Sequence, residues 1–320
     1  MYWLILFVIA TSIKKEQIQP IITSFLAGMF LSEIIAYGVF FELWAFKDAT
    51  VGNPSPVMFW IDYSVFMALT SILLLNRILS KNYSLQQKIF FFFFFCTVTG
   101  NLFLAIGRTG QVALVFTMFV LIFIHHKATI KSIILGLLVV GSIFTTAYNF
   151  SNSFQERSKA GVKDIQKIFK KDFNGSWGIR VVYWITAFDI VKANPLIGVG
   201  IGDSQSEIKK TLDAKNYQYI NNSTKEFMQK LHPHNQYLLI SIQLGIFGLL
   251  IFLYMIYCIL SLKIQQLEIK ILSILFTSIF FISCFAEPLF IKQFTIALFM
   301  LFVGLFTVAS IEDKSKNVDC

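Results

Sequence analysis

Long apolar segments separated by short polar loops dominate the pattern of this chain. Nine such segments lie at about residues 1–13, 18–42, 57–79, 86–106, 109–125, 130–149, 235–262, 268–286 and 290–310. A helix needs roughly 20 mostly apolar residues to cross the hydrocarbon core of a bilayer, and no segment shows the alternation of a membrane β-strand. The pattern therefore predicts an all-α polytopic membrane protein with about nine transmembrane helices.

One long polar segment, residues 150–234, interrupts this pattern. Within 156–173, apolar residues such as Val162, Ile165 and Phe169 recur at helical spacing, and lysines occupy the other side. Such a helix lies either on a membrane surface or, solvated, against the rest of the loop. The sequence leaves both alternatives open.

Further short helices are predicted in the same loop. One covers residues 179–193 and ends at Asn194-Pro195, because proline disfavours helix in the residue before it. Ser204–Glu207 has the pattern of a capping box that begins another helix. Between them, Gly198, Gly200 and Gly202 form either a plain turn or a turn that allows a ligand to approach the backbone.

The distribution of Lys and Arg over the short loops predicts the orientation. Eleven fall in one set of loops, whereas the opposite set holds only Lys47, Arg108 and Lys292. Because the excess marks the cytoplasmic side, residues 150–234 form a large periplasmic loop. We treat residues 1–320 as a single membrane domain that contains this loop.

The composition agrees with a membrane protein. Hydrophobic residues make up 56% of the chain, charged residues only 14%, and the mean hydropathy is +0.68, whereas soluble domains carry roughly 25% charged residues. The net charge of +9 is not a nucleic-acid signal, because no basic segment sits on a soluble module. The four cysteines form no CxxC or His/Cys cluster, so neither a disulfide framework nor a zinc site is expected.

Three polar residues lie at the outer ends of apolar segments. Arg108 either extends to the lipid headgroups or points inward to hold an anion. Arg180 is either a surface arginine or a phosphate clamp, since its planar fork donates two parallel hydrogen bonds. His234 is either structural or a general base, and His232 is a rival for that role. The two histidines lack a third metal ligand nearby.

Three carboxylates are further candidates. Glu33 lies within the second apolar segment, Asp62 near the outer end of the third, and Glu287 at the end of the eighth. A carboxylate in such a position can orient a partner or line a polar cavity. The sequence does not rank them.

Several motifs together resemble the O-antigen ligase and polymerase superfamily. They are Arg180–Trp184 (RVVYW), Asn194–Asp203 (NPLIGVGIGD), His234–Leu238 (HNQYL) and Leu244–Gly248 (LGIFG), with Gly107–Gly110 (GRTG) upstream. The order and spacing match the family pattern, although Gly107 stands where members usually have serine.

The resemblance implies a lipopolysaccharide O-antigen ligase of the bacterial inner membrane with its active site on the periplasmic face. Such an enzyme transfers a glycan from an undecaprenyl-diphosphate carrier to a sugar hydroxyl of lipid A-core, and neither cofactor nor metal is expected. Arg108 and Arg180 would stabilise the diphosphate, and His234 would act as the general base. The possible supporting residues are Asn235, His232, Gly198, Gly200, Gly202, Arg157 and Glu287.

Three alternatives remain open at this point. An O-antigen polymerase or a protein O-oligosaccharyltransferase of the same superfamily would use much the same geometry. A polysaccharide transporter or flippase would perform no covalent chemistry and would show an inverted repeat and broken helices. Neither feature is evident in the sequence.

Overall fold

The computed structural model describes residues 4–126, 129–215, 217 and 219–311. Thirteen α-helices lie in these ranges, which confirms the all-α prediction. They are α1 (Leu4–Ser12), α2 (Ile18–Phe40), α3 (Trp60–Leu79), α4 (Leu85–Leu104), α5 (Arg108–His126), α6 (Ile130–Phe150), α7 (Asn152–Phe169), α8 (Ser176–Ala193), α9 (Ser204–Lys215), α10 (Asn222–Lys230), α11 (Gln236–Leu260), α12 (Leu267–Ser283) and α13 (Gln293–Ser310).

Helices occupy all nine of the apolar segments. Among the described residues, seven helices are long and apolar enough to cross a membrane, namely α2–α6, α11 and α13. The other two are α1, with 9 residues, and α12, with 17. The chain is therefore a multi-pass membrane protein.

The helices divide into two compact units, which we describe separately. Unit 1 comprises the described residues within 1–147, 257–282 and 292–320, and unit 2 comprises Tyr148–Ile256 and Ser283–Ile291. That the whole chain is one membrane domain, and that residues 150–234 lie on the periplasmic side, stay predictions.

In unit 1, α3 is the most buried of the candidate spans and packs against α4 and α5. Phenylalanines fill a second core between α12 and α13, where Phe276, Phe280 and Phe302 are almost completely buried. The consecutive phenylalanines of α4 lie on different faces of the helix. Phe91 and Phe94 are buried, whereas the two phenylalanines between them are exposed. The abundant phenylalanine thus serves internal packing as well as the outer surface of the helices.

Unit 2 has a hydrophobic core of its own. Its buried members come from four helices and are Val182, Tyr183, Ala187 and Ile190 of α8, Ile208 and Leu212 of α9, Met228 of α10 and Ile242 of α11. The long polar segment is therefore a small helical assembly packed on α11. The helix α10 was not predicted from the sequence, because it is short and polar and carries only a few apolar residues.

Two details of the loop helices differ from the predictions. The amphipathic helix ends at Phe169 instead of 173, because Lys171 adopts a left-handed conformation (φ 60°). Phe173 instead packs against the core of unit 2. The prediction of a capping box at Ser204–Glu207 was wrong. The helix α9 begins at Ser204 itself, and the Glu207 N–H donates to the Asp203 carbonyl. The predicted end of α8 before Pro195 is confirmed.

Candidate active site

A break in α11 organises the centre of unit 2. Gly245 has φ 61° and ψ −156°, which no helical residue adopts. The carbonyls of Ile242 and Gln243 accept hydrogen bonds from the N–H groups of Val199 and Gly200, both at 2.9 Å. On the other side of the break, the N–H groups of Ile246 and Phe247 donate to the carbonyls of residues 195 and 196. The glycine-rich turn therefore satisfies the backbone groups that the break exposes.

The contact between the turn and α11 accounts for glycine at positions 198 and 245 without a ligand that approaches the backbone. Gly198 has φ 68°, and a Cβ there would lie 2.5 Å from the Ile242 oxygen. A Cβ on Gly245 would lie 2.4 Å from the Leu196 carbonyl. Gly202 has open space around it. The sequence predicts an unbroken helix here, because the apolar pattern continues through Leu244–Gly248 without interruption. This prediction was wrong, since α11 is broken at Gly245.

The segment before α11 holds His234 against residues 283–291. The Asn235 side chain caps the helix, accepting from the Leu238 N–H at 3.0 Å, and its amide donates to the Phe285 carbonyl at 3.1 Å. The Gln236 N–H donates to the Cys284 carbonyl at 2.8 Å, and the Gln236 side chain accepts from the Phe290 N–H at 2.9 Å. The start of α11 is thus fixed by side chains that immediately follow His234.

His234 and Glu287 form a close pair in this segment. Nδ1 of His234 lies 2.8 Å from Oε2 of Glu287, and the carboxylate is almost fully buried. When the carboxylate is ionised it can only accept, so Nδ1 then donates, and in a neutral ring Nε2 carries the lone pair. The His234 side chain is 22% exposed, so the ring is not enclosed completely by the protein. This is the arrangement in which a carboxylate orients a histidine base.

Tyr183 supports the same segment from α8. Its hydroxyl lies 2.8 Å from the Met228 carbonyl and 3.2 Å from the Leu231 carbonyl, and its one proton is shared between these two acceptors. Its ring meets the His234 ring edge to face, with centroids 6.3 Å apart. Burial raises the pKa of Tyr183, which keeps the hydroxyl protonated as a donor. Tyr183 lies within the Arg180–Trp184 motif, but the sequence predicts no role for it, because a tyrosine in a helix shows nothing of its distant partners.

Arg180 lies three residues before Tyr183, on the same side of α8. Its Nη1 donates to the Ser176 carbonyl and hydroxyl, both at 3.1 Å, and the side chain is partly exposed. The guanidinium is therefore held by the first turn of its own helix. A cation presented in this way suits an anionic group of a ligand.

Arg108 belongs to unit 1, where it begins α5 and is partly exposed. The turn around it packs tightly on α3: the Gly110 N–H donates to the Ser64 hydroxyl at 3.0 Å. A Cβ on Gly107 would lie 2.4 Å from the Ser64 Cβ. This close packing leaves no room for a side chain at position 107.

The remaining candidates fall at several places. The His232 ring lies 5.9 Å from that of His234, and Arg157 lies in α7. Glu33 is buried in α2 of unit 1. Asp62 pairs with Lys292 at 3.0 Å. Within the described ranges, no group of three His, Cys, Asp or Glu side chains could hold a metal ion.

The match to a known family agrees with these motifs. Residues 90–253 match the family described as O-antigen ligase, which is slightly more than half of the chain. The matched range contains Arg108, Arg180, both loop histidines and the broken part of α11. No curated protein matches the chain. The match covers slightly more than half of the chain and includes His234 but not Glu287, and the chain therefore belongs to the O-antigen ligase family.

Proposed function

We propose that this protein is an O-antigen ligase. Members of its family are glycosyltransferase-like ligases and polymerases that act on lipid-linked glycans. The donor would be a glycan on undecaprenyl diphosphate, and the acceptor a sugar hydroxyl of lipid A-core. The reaction would take place at the periplasmic face of the bacterial inner membrane. The observation that carries the proposal is the pair of His234 and Glu287 at the start of α11.

The proposed chemistry needs one base and a stabilised leaving group. As the acceptor oxygen bonds to the anomeric carbon, its proton passes to Nε2 of His234. The bond between that carbon and the diphosphate oxygen breaks, and the carrier diphosphate leaves with the electron pair. Arg180 would stabilise the negative charge that develops on it. The same role for Arg108, which lies in unit 1, rests on the family resemblance alone. Glu287 stabilises the imidazolium that His234 becomes.

We expect Glu287→Gln to slow transfer by about 100-fold while Km changes little, because the amide no longer stabilises the positive charge on His234. The variant keeps the size of the side chain and can still accept from Nδ1. The measurement is the transfer rate of the purified protein with saturating donor. Glu226→Gln, on α10, is the matched control. Equal rates for the two variants would mean that Glu287 has only a structural role.

Arg180→Lys should lower transfer about tenfold and Arg180→Ala about 100-fold. The lysine keeps the charge but cannot donate two parallel hydrogen bonds to the diphosphate, and the alanine removes both. Lys192→Gln, at the end of the same helix, removes one positive charge and should leave the rate unchanged. If Arg180→Ala is as active as that control, the clamp role of Arg180 is refuted.

The proposed reaction is tested by a gel profile of lipopolysaccharide from a deletion strain, with and without the wild-type protein. A ligase predicts that glycan stays on its carrier and lipid A-core stays bare until the protein is restored. If single glycan units still reach the core but long chains vanish, the protein is a polymerase. An unchanged profile would contradict both and would direct the search to protein acceptors.

A further inference from the structure

A cavity of about 960 Å³ lies in unit 1, at the end of the helices opposite to Arg108. It is lined by the last turns of α3 and α5, the loop between α3 and α4, and the start of α12. Its volume is at the upper end of the range for small-molecule sites. None of the residues assigned above to glycan transfer lines it.

Glu268 gives this cavity a negatively charged wall. Its carboxylate accepts from the Ser80 hydroxyl at 3.0 Å, the Asn82 amide at 2.8 Å and the Tyr83 hydroxyl at 3.0 Å. Burial raises the pKa of Tyr83 to about 12, so this hydroxyl donates as a neutral group. These three donors orient the carboxylate but do not neutralise it.

Cationic and donor groups line the same cavity. Lys81 and His125 both line it, and both side chains are exposed. Arg77 is buried behind the cavity wall, where its Nη2 donates to Gln19 and Thr23 and its charge interacts with that of Glu268. Lys81 is therefore an exposed cation among the residues that line the cavity.

The cavity wall also has an apolar part. Leu79 and Leu267 line it and are 48% and 73% exposed. A ligand that matches all three parts has a positive group, a phosphate and a hydrocarbon portion. In a membrane protein this is the chemistry of a zwitterionic phospholipid.

We propose that this cavity binds a phospholipid whose headgroup ends in a primary ammonium group. The ammonium donates to Glu268, and the phosphate accepts from Lys81 and His125. The first carbons of the lipid lie against Leu79 and Leu267. The site is independent of the proposed glycan transfer.

The test is lipid binding to the delipidated full-length protein in detergent, followed by native mass spectrometry. Phosphatidylethanolamine should bind roughly tenfold more tightly than phosphatidylcholine, because a quaternary ammonium cannot donate a hydrogen bond to the carboxylate. Phosphatidylglycerol, which lacks the positive group, should also bind roughly tenfold more weakly. Equal affinities for the three lipids would overturn the proposal.

Two variants of the lining residues and one control separate binding from folding. Lys81→Gln should weaken phosphatidylethanolamine binding roughly tenfold, and Lys263→Gln, a lysine outside the cavity lining, should not. Glu268→Gln should abolish the preference over phosphatidylcholine. Glu268 also connects α12 to the loop after α3 through hydrogen bonds. If Glu268→Gln does not fold for this reason, Lys81→Gln alone tests the site. Equal weakening by the two lysine variants would refute the site.

Discussion

Replacing His234 by alanine is expected to lower the rate of glycan transfer at least about 100-fold, because the acceptor hydroxyl then loses its general base. The ring is partly exposed and is fixed by Glu287 on one side and Tyr183 on the other. Its removal therefore takes away the reacting nitrogen without opening a large internal cavity. The measurement is the transfer rate of purified protein, together with the lipopolysaccharide profile of the complemented strain.

The neighbouring histidine provides the control. His232→Ala removes a ring 5.9 Å away but no group that the proposed chemistry uses, so transfer should continue at close to the wild-type rate. If His232→Ala is inactive and His234→Ala retains activity, the base has been assigned to the wrong histidine. Full activity of both variants would show that neither ring takes the proton. A transporter, which needs no base, should tolerate His234→Ala.

Gly198→Ala is expected to destabilise the protein by about 3 kcal/mol or more. The left-handed backbone at φ 68° costs an L-residue about 1–2 kcal/mol. The new Cβ would also lie 2.5 Å from the Ile242 carbonyl oxygen, and such overpacking typically costs about 1–3 kcal/mol. Because the obstacle is backbone, it cannot be relieved by turning a side chain. The measurement is the thermal unfolding midpoint of purified protein in detergent.

Gly202→Ala is the matched control, four residues along the same motif. It has no neighbour within 4 Å and no positive φ, so the unfolding midpoint should hardly change. If both variants unfold at the same temperature, the turn does not seal the break in α11. If Gly198→Ala is stable but inactive, the turn instead contacts substrate, which was the alternative that the motif left open.

Glu287 and the glycine-rich turn contact the chain at the two ends of the first part of α11. Glu287 contacts His234, two residues before the first residue of this helix, and the turn closes the break at Gly245, eleven residues after His234. The first part of α11 is therefore held at both ends by segments distant in sequence. A base held in this way keeps its orientation while the substrate changes, which is the usual requirement for catalytic geometry.

The sequence by itself determined the local features of this protein. Runs of apolar residues predicted the helices, because helix formation in a bilayer depends on the chain satisfying its own backbone groups within one segment. The end of α8 followed from Asn194-Pro195, since the restriction acts between neighbouring residues. The motifs around Arg180, Gly198 and His234 sufficed to indicate the family.

Only the tertiary structure decided which distant residues act together. Glu287 is 53 residues from His234, and nothing in the local pattern distinguished it from Glu33 or Asp62. The break at Gly245 was equally hidden, because its backbone bonds are completed by residues 195–200, nearly fifty positions earlier. Periodicity reports which face of an element is apolar, but pairing across the chain depends on how the elements pack.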